Sequence, residues 1–329
     1  MIVGPLKNNS QFSVIFLSIL CIGLFLASAV IVDTSQIGLK SPENILYHAL
    51  FFPEPAIWVQ NFLSLIIILL GAFLVNFLAI NEEITSKKNF LPAFFYVLFA
   101  FSTKTSNTIE PILLANIFVI LSIYFLMKSY RQEIALSEFY KAGLFMGLSA
   151  FFYIYYIYLF PLCIISILIL RAFYWREWAV MLLGLLTPVY LFLSISYLGN
   201  NHLADELIHL KEALINIHKP IFSEYYFLLL LSVVFLTILA FFSYLSKGFG
   251  TKVKSQKNKY IIIWMLIFSI WVVFFEESTE TLLLPCALPF SILVGDYLSE
   301  IKQLKIANTL ITMFIGSFIV IYLHLLGMI

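Results

Sequence analysis

Residues 142–170 read AGLFMGLSAFFYIYYIYLFPLCIISILIL, between Lys141 and Arg171, and this stretch decides how the chain folds. It holds 29 residues and no charge, whereas one membrane-spanning helix needs about 20 residues at about 1.5 Å each. The stretch is too long for one upright helix and short for two full ones. Both flanking residues are basic, and basic flanks belong on the cytoplasmic side. The stretch therefore predicts two short helices that turn near residues 152–156.

The composition of the whole chain indicates the same class of protein. Of its 329 residues, 62% are hydrophobic and 11% are charged, against about 25% charged residues in an average soluble domain. The apolar runs are continuous, whereas the strands of a membrane β-barrel alternate. Three cysteines (Cys21, Cys163 and Cys286) fall inside apolar runs, which favours packing over a disulfide. The sequence predicts an all-α, polytopic transmembrane bundle that occupies residues 1–329 as a single integral-membrane domain.

The spans are predicted from apolar runs separated by polar ones. They number about eleven, within a range of nine to eleven, and several are short or paired. The predicted spans are 12–32, 57–80, 89–103, 111–127, two within 142–170, 178–198, 225–246, 260–275, 281–295 and 306–326. The main polar segments are outer loops at 33–56 and 199–224 and a basic cytoplasmic loop at 247–259.

The basic residues predict how the bundle is oriented. Eleven crossings put the N-terminus in the cytoplasm and the C-terminus outside. This places 15 of the 19 lysines and arginines inside and leaves Lys40, Lys104, Lys211 and Lys219 outside, as the positive-inside rule requires. All five histidines fall on the outer side or at its boundary. The sequence thus predicts a multi-pass protein of a bacterial inner membrane, with its chemistry on the outer face.

Candidate catalytic and binding residues lie in the predicted outer loops. Asp33 follows the first span directly, where it could act as a general base or hold a cation for a phosphate-bearing lipid substrate. A solvated helix end is the alternative. Glu54, in the same loop, is the second candidate for a catalytic residue. Lys40, Lys104 and His48 are the candidates for substrate binding.

Residues 203–217 predict an amphipathic helix, because leucines and an isoleucine recur on one helical face. Such a helix lies in the outer membrane interface with its apolar face towards the lipid. Nearby, His202, Glu206 and His209 share a face with a spacing that could hold zinc. No cysteine and no second acid accompanies them, so the sequence favours solvated side chains and predicts no metal site.

Acidic residues elsewhere leave two further interpretations. Glu276, Glu277 and Glu280 crowd a short outer turn, which could recruit a divalent cation; a hydrated turn is the alternative, and no other cofactor is predicted. Asp296, at the edge of the tenth span, is the one acid or base predicted inside the membrane. Coupled transporters usually need such groups, so their scarcity argues against a coupled transporter.

Short motifs connect this chain to a known family. They are Pro111-Ile-Leu-Leu-Ala-Asn116, Ala142-Gly143 with Gly147-Leu148, Arg176-Glu177-Trp178 with Gly184 and Thr187-Pro188, and Leu284-Pro285 with Leu288-Pro289-Phe290-Ser291. With these motifs the chain resembles an uncharacterised bacterial family of polytopic membrane proteins, some of which carry the label carotenoid monooxygenase. That resemblance implies a membrane fold and no established activity.

The glycine motif, the two short helices and the basic turn that follows also resemble the middle of the type C glycosyltransferase superfamily. Those enzymes use polyprenyl-phosphate-linked sugars and carry an acid in the first outer loop, where Asp33 stands here. The chain departs from their pattern in its short first outer loop, in having no large outer domain and in having no outer arginine. The resemblance implies polyprenyl phosphate as the lipid substrate and Asp33 as the base.

Three functions stay open from the sequence. A glycosyltransferase-like protein would act on polyprenyl-phosphate-linked sugars at the outer face. A non-enzymatic membrane subunit would use its aromatic, proline-containing helices to assemble with a membrane-protein partner. A transporter would carry a lipid or a small solute through a central cavity. All three have the lipid bilayer as a partner, and no nucleic-acid partner is predicted.

Overall fold

The computed structural model describes residues 6–7, 11–31, 57–102, 111–171, 174–198, 224–246, 252–274 and 283–325. Within these ranges the chain forms eleven α-helices, two short 3-10 helices and no strand. The α-helices are α1 Gln11–Ile31, α2 Ile57–Asn81, α3 Leu91–Ala100, α4 Pro111–Lys128, α5 Leu136–Phe152, α6 Phe160–Leu170, α7 Trp175–Leu198, α8 Glu224–Ser246, α9 Val253–Val273, α10 Ala287–Glu300 and α11 Leu304–Leu325. The predicted all-α fold is confirmed, and each helix corresponds to one predicted apolar segment.

The aromatic middle of the chain turns where the sequence predicts. α5 ends at Phe152, and Tyr153 is extended, with φ −143° and ψ 103°. A 3-10 helix covers Ile154–Leu159, and α6 begins at Phe160. Pro161 lies in the first turn of α6, where its missing N–H costs no hydrogen bond. The prediction of two short helices in this stretch is confirmed.

The loops that the sequence predicts to be cytoplasmic gather at one end of the bundle. Lys7 Nζ donates to the Ile301 carbonyl at 2.7 Å, which joins the start of α1 to the end of α10. Lys257 Nζ donates to the Leu170 carbonyl at 3.1 Å, which joins the start of α9 to the end of α6. Ion pairs tie the end of α2 to the start of α9. We call this the basic end; its members are Lys7 and residues 82–90, 129–135, 171, 174–177, 252–259 and 296–305.

The basic segment at 247–259 differs from its prediction as a loop. α9 begins at Val253, so residues 253–259 form its first two turns. Ser255, Asn258 and Lys259 are buried on one face of these turns, where they meet the chain after α2 and the helix α10. The loop prediction was wrong there, because a lysine-rich stretch was taken as solvated although its polar residues fall at helical spacing.

Two short helices lie at the centre of the bundle. All ten residues of α3 are buried. A Cβ on Gly295, near the end of α10, would lie 2.8 Å from the nitrogen of Pro92, near the start of α3, so the two helices run antiparallel. Phe95 and Phe99 of α3 pack against Phe290 of α10, with ring centroids 5.8 and 4.7 Å apart. At about 1.5 Å per residue, α3 is about 15 Å long, half the hydrocarbon core of about 30 Å.

α5 and α7 pack backbone against backbone. A Cβ on Gly143 would lie 2.1 Å from the carbonyl oxygen of Met181, and one on Gly184 would lie 2.3 Å from the carbonyl oxygen of Tyr140. Gly143 and Gly147 are four residues apart, which is the pattern of small residues that lets membrane helices approach closely. The glycine motif noted in the sequence therefore has a packing role.

The outward surface of the described helices is apolar, as contact with lipid requires. Leu183 on α7 is 60% exposed and Phe235 on α8 is 43% exposed. Exposed aromatic side chains lie near helix ends, with Trp175 at the start of α7, Tyr197 at its other end and Trp271 near the end of α9, as in the aromatic belts of membrane proteins. Among the described residues, α2, α4, α7, α8 and α11 are long and apolar enough to cross a membrane. The chain is an integral membrane protein.

Candidate functional site

The residues that the sequence singles out for catalysis, substrate binding or a metal lie outside the described residues. They are Asp33, Lys40, His48, Glu54, Lys104, His202, Glu206 and His209, with the amphipathic segment 203–217 and the acids Glu276, Glu277 and Glu280. Their roles stay predictions. Within the part of the chain that the structure describes, no group of three or more His, Cys, Asp or Glu side chains could hold a metal ion.

An apolar groove of about 330 Å³ lies between α1, α3 and α11. Among the described residues, only apolar side chains line this groove, which we call the α1 groove. Its lining residues are Phe16, Leu20, Leu24, Ala27, Phe94, Leu98, Ile315, Phe318 and Ile319. The volume is at the low end of the range of about 300–1,000 Å³ for small-molecule pockets. A dry groove without polar groups suits a hydrocarbon chain.

The α1 groove lies on helices that lead towards the predicted catalytic loop. The N–H of Phe90 donates to the carbonyl of Leu6 at 2.9 Å, so the chain before α1 meets the chain before α3. From there both helices line the same groove, α3 with Phe94 and Leu98. Both therefore run away from the basic end. In the sequence, Asp33 comes two residues after the last residue of α1, and Lys104 comes four residues after the last residue of α3.

The sequence alone did not reveal the groove. Phe16, Leu20 and Leu24 recur every four residues and so share one face of α1. Ile15 and Ile19 lie beside them in the sequence and face outward, with 56% and 64% exposure. Apolar residues line the groove and also meet lipid, so no change of residue type separates the two faces of this helix.

A buried ion pair joins α9 to α10 near the basic end. Lys259 Nζ lies 2.5 Å from Asp296 Oδ2, and the two side chains are 7% and 11% exposed. The N–H of Ser86 donates to Asp296 Oδ1 at 2.6 Å. The hydroxyl of Ser86 donates to Glu300 Oε1 at 2.6 Å. Each oxygen of the Asp296 carboxylate therefore has a donor, which is the condition for keeping a charge buried.

A small cavity of about 30 Å³ adjoins this ion pair. Tyr244 and Tyr297 contribute to its lining, together with Lys259, Asp296 and Glu300. The space holds about two water molecules, given about 10–15 Å³ for each. Ionisable groups buried among apolar helices are candidates for function, but every donor and acceptor described above also joins one segment to another. These contacts therefore stabilise the packing of the first part of α9 against the last part of α10.

Sequence reasoning found one member of this ion pair and missed the other. Asp296 was predicted to lie inside the membrane, and its burial is confirmed. Lys259 was counted among the loop lysines and is 5% exposed. The sequence does contain a pattern that indicates the burial of Lys259. One helical face, at i, i+3, i+4 and i+7, carries Ser255, Asn258, Lys259 and Ile262, and all four are buried on α9.

Two more carboxylates are buried and paired at the basic end, so Asp296 is not the single buried acid. Glu82 Oε2 lies 2.9 Å from Lys254 Nζ, and Glu177 Oε1 lies 2.9 Å from Arg171 Nη1. Both glutamate residues are 5% exposed. Both glutamates lie just outside the predicted spans 57–80 and 178–198, so the sequence did not predict their burial. The partner of Glu82 comes from a distant segment, whereas Arg171 is close to Glu177 in the sequence.

The fold and these features define the class: a polytopic α-helical membrane protein with an apolar groove on one side of its centre and a charge-paired basic end. The family follows from a comparison of sequences. The chain belongs to DUF6427, a family of unknown function whose model matches residues 44–329. Helix α1, Asp33 and Lys40 precede the matched region. No curated protein matches the chain significantly.

Proposed function

We propose that the protein transfers a sugar from a polyprenyl-phosphate carrier to an acceptor at the membrane surface opposite the basic end. The observation that supports this most is the α1 groove, whose lining is wholly apolar. Two of its three helices lead in the sequence to Asp33 and Lys104. A polyprenyl tail needs an apolar groove, its phosphate needs a cation at the membrane boundary, and the acceptor needs a base.

The proposed reaction assigns one role to each of these parts. The polyprenyl tail lies in the α1 groove, and the phosphate meets Lys104 or Lys40. Asp33 takes the proton of an acceptor hydroxyl, whose oxygen then attacks the anomeric carbon of the sugar. The bond from that carbon to the phosphate oxygen breaks, and polyprenyl phosphate leaves with the electron pair. One glycosidic bond forms for each glycosyl-phosphate bond broken, and Asp33 returns its proton to water.

Replacing Asp33 with Asn tests this function directly. The amide cannot accept the hydroxyl proton, so transfer from a labelled polyprenyl-phosphate sugar in membrane vesicles should fall by about 10²–10⁴-fold, with the membrane level of the protein unchanged. Glu43→Gln removes a charge from the same loop and should keep the activity. Transfer at the normal rate in Asp33→Asn would contradict the role of Asp33, and loss in Glu54→Gln instead would assign the base to Glu54.

A transporter is the second candidate function, because two short helices lie at the centre of the bundle. Two short helices with prolines near their starts, α3 and α10, run antiparallel there, and transporters often place their sites at short or broken helices. Asp296 of α10 forms the buried pair with Lys259 of α9. Flux of a lipid or solute through reconstituted vesicles, without sugar transfer, would favour this function. A stable membrane-protein partner, with Asp33→Asn tolerated, would favour a non-enzymatic subunit.

A further inference from the structure

A larger polar cavity lies at the basic end, where the chain after α2 meets the start of α9. Its volume is about 420 Å³, and we call it the α9 cavity. Its lining residues are Ile80, Glu83, Thr85, Ser86, Lys88, Lys252 and Ser255. Because α1 and α3 lead from this end towards Asp33 and Lys104, the α9 cavity is separate from the proposed site of sugar transfer.

The start of α9 supplies hydrogen-bond donors to this cavity. The first amide groups of an α-helix have no partner within the helix, and together they carry a partial positive charge of about half a unit. The residue before the first turn, Lys252, makes no side-chain hydrogen bond to the helix, and no acid lies in that turn. The usual acceptor at a helix start is therefore missing here, among the described residues.

Ser255 points to a ligand in the cavity. It is the third residue of α9 and is 7% exposed, and its hydroxyl has no hydrogen-bond partner among the described residues. The other two hydroxyls of the lining are engaged. Thr85 donates to the Ala79 carbonyl at 3.3 Å, and Ser86 donates to Glu300 at 2.6 Å. Ser255 lines the cavity, so a ligand or water in the cavity can supply the hydrogen-bond partner that its hydroxyl lacks within the described residues.

The charges around the α9 cavity favour an anion. Lys88 and Lys252 line the cavity, and Glu83 is the one acid in its lining. Lys252 Nζ lies 2.9 Å from Glu83 Oε2. Beside the cavity, Lys254 Nζ lies 2.9 Å from Glu82 Oε2. The two lysines and one glutamate of the lining leave a net charge of +1, to which the helix start adds its partial charge.

We propose that the α9 cavity binds a phosphate group. The phosphate lies on the start of α9, where Ser255 and the first amide groups donate to its oxygens and Lys88 lies beside it. Helix starts suit phosphate because their N–H groups point at the ligand and their dipole favours negative charge. The phosphate belongs to the headgroup of an anionic phospholipid or to a soluble phosphate ester, since both present the same oxygens.

Glu83 limits how strongly Lys252 can bind the phosphate. The hydrogen bond from Lys252 holds the pKa of Glu83 below its ordinary value of 4.5, so this carboxylate is charged at neutral pH. A bound phosphate competes with it for Lys252. Glu83→Gln removes the competitor and therefore tightens phosphate binding.

Thermal unfolding of the purified full chain in a neutral detergent tests the site. Inorganic phosphate is titrated against sodium chloride at equal ionic strength. The Tm should rise by about 2–4 °C at ten times the Kd. The Kd should fall about threefold in Glu83→Gln and rise about threefold in Lys88→Ala, as expected for one exposed charge. Lys128→Ala removes a lysine that lies over the rings of Tyr124 and Phe125, away from the cavity, and should leave the Kd unchanged.

Ser255→Glu separates binding from folding. A carboxylate in the first turn supplies the missing acceptor and complements the helix dipole, so the Tm without phosphate should stay the same or rise. The same carboxylate fills the cavity with negative charge, so added phosphate should no longer raise the Tm. No phosphate effect in the unaltered chain, or an effect that persists in Ser255→Glu, would overturn the proposal.

Reconstitution distinguishes the two sources of phosphate. The chain is placed in nanodiscs of phosphatidylcholine alone or with phosphatidylglycerol, and inorganic phosphate is added to both. A Tm rise that phosphatidylglycerol abolishes supports the phosphate site and assigns it to a lipid headgroup. A rise that phosphatidylglycerol leaves intact supports the site and assigns it to a soluble phosphate ester. Either result concerns the α9 cavity alone and does not depend on the outcome for Asp33→Asn.

Discussion

Single charged side chains hold the basic end of this protein together. Lys259 with Asp296 and Lys254 with Glu82 each join segments that are far apart in the sequence. Arg171 with Glu177 closes the turn between α6 and α7. Asp296 could be predicted, because an acid among apolar residues stands out. Its partner could not be chosen from the sequence, since Lys259 follows several other lysines and pairing depends on which helix ends meet.

The pair of Lys259 and Asp296 predicts a specific pattern of stability. Asp296→Asn leaves the Lys259 ammonium buried without a counter-charge, and loss of one partner in a buried pair costs about 3–5 kcal/mol. The Tm in detergent should therefore fall clearly. The double variant Asp296→Leu with Lys259→Met removes both charges and should recover most of the loss. If the double variant has the same low Tm as the single variant, the charges of Lys259 and Asp296 do not neutralise each other in the folded protein.

The helices themselves were largely predictable, but their positions in the bundle were not. Predicted spans such as 57–80 and 225–246 agree with α2 and α8 to within one residue at each end, because long apolar runs bounded by polar residues leave little choice. The central place of α3 was not predictable. Its ten residues are apolar or aromatic on every side, so nothing in its pattern distinguishes a face that meets protein from one that meets lipid.

The close packing of α5 on α7 predicts opposite effects for two glycine substitutions. In Gly184→Ala the new Cβ would lie 2.3 Å from the Tyr140 carbonyl oxygen, so the helices must separate, at a cost of about 1–3 kcal/mol. In Gly316→Ala, on α11, nothing lies within 4 Å of the new Cβ, and alanine should stabilise the helix by up to about 1 kcal/mol. Thermal unfolding measures both. Equal effects of the two substitutions would contradict the packing of α5 on α7.

The α1 groove predicts a change in lipid use when it is filled. Leu20→Trp places a large ring in the groove, so the KM for the polyprenyl-phosphate sugar should rise about tenfold, a loss of about 1.4 kcal/mol of binding. The kcat should change little, since the groove holds the tail and not the reacting atoms. Ile19→Trp, at the 64% exposed neighbouring position, is the matched control. A KM that rises equally in both variants would show that the α1 groove does not bind the polyprenyl tail.

At the scale of the whole molecule, the described helices bring charged segments from distant parts of the chain together at one end. Most of the described lysines and arginines that were predicted to be cytoplasmic belong to the basic end, where the α9 cavity lies. α1 and α3 run from there towards the sequence positions of Asp33 and Lys104. Charge counting predicts that the basic end faces the cytoplasm, because lysines and arginines concentrate in alternate loops, and this orientation stays a prediction. The predicted single domain and inner-membrane location stay predictions.

The central claim is that the end carrying Asp33 faces out of the cell while the basic end faces the cytoplasm. Labelling with a membrane-impermeant maleimide in spheroplasts tests it, using a chain whose own three cysteines are replaced. Glu206→Cys should be labelled in intact spheroplasts, and Lys254→Cys only after the membrane is permeabilised. Labelling of Lys254→Cys from outside, with Glu206→Cys protected, would contradict the account.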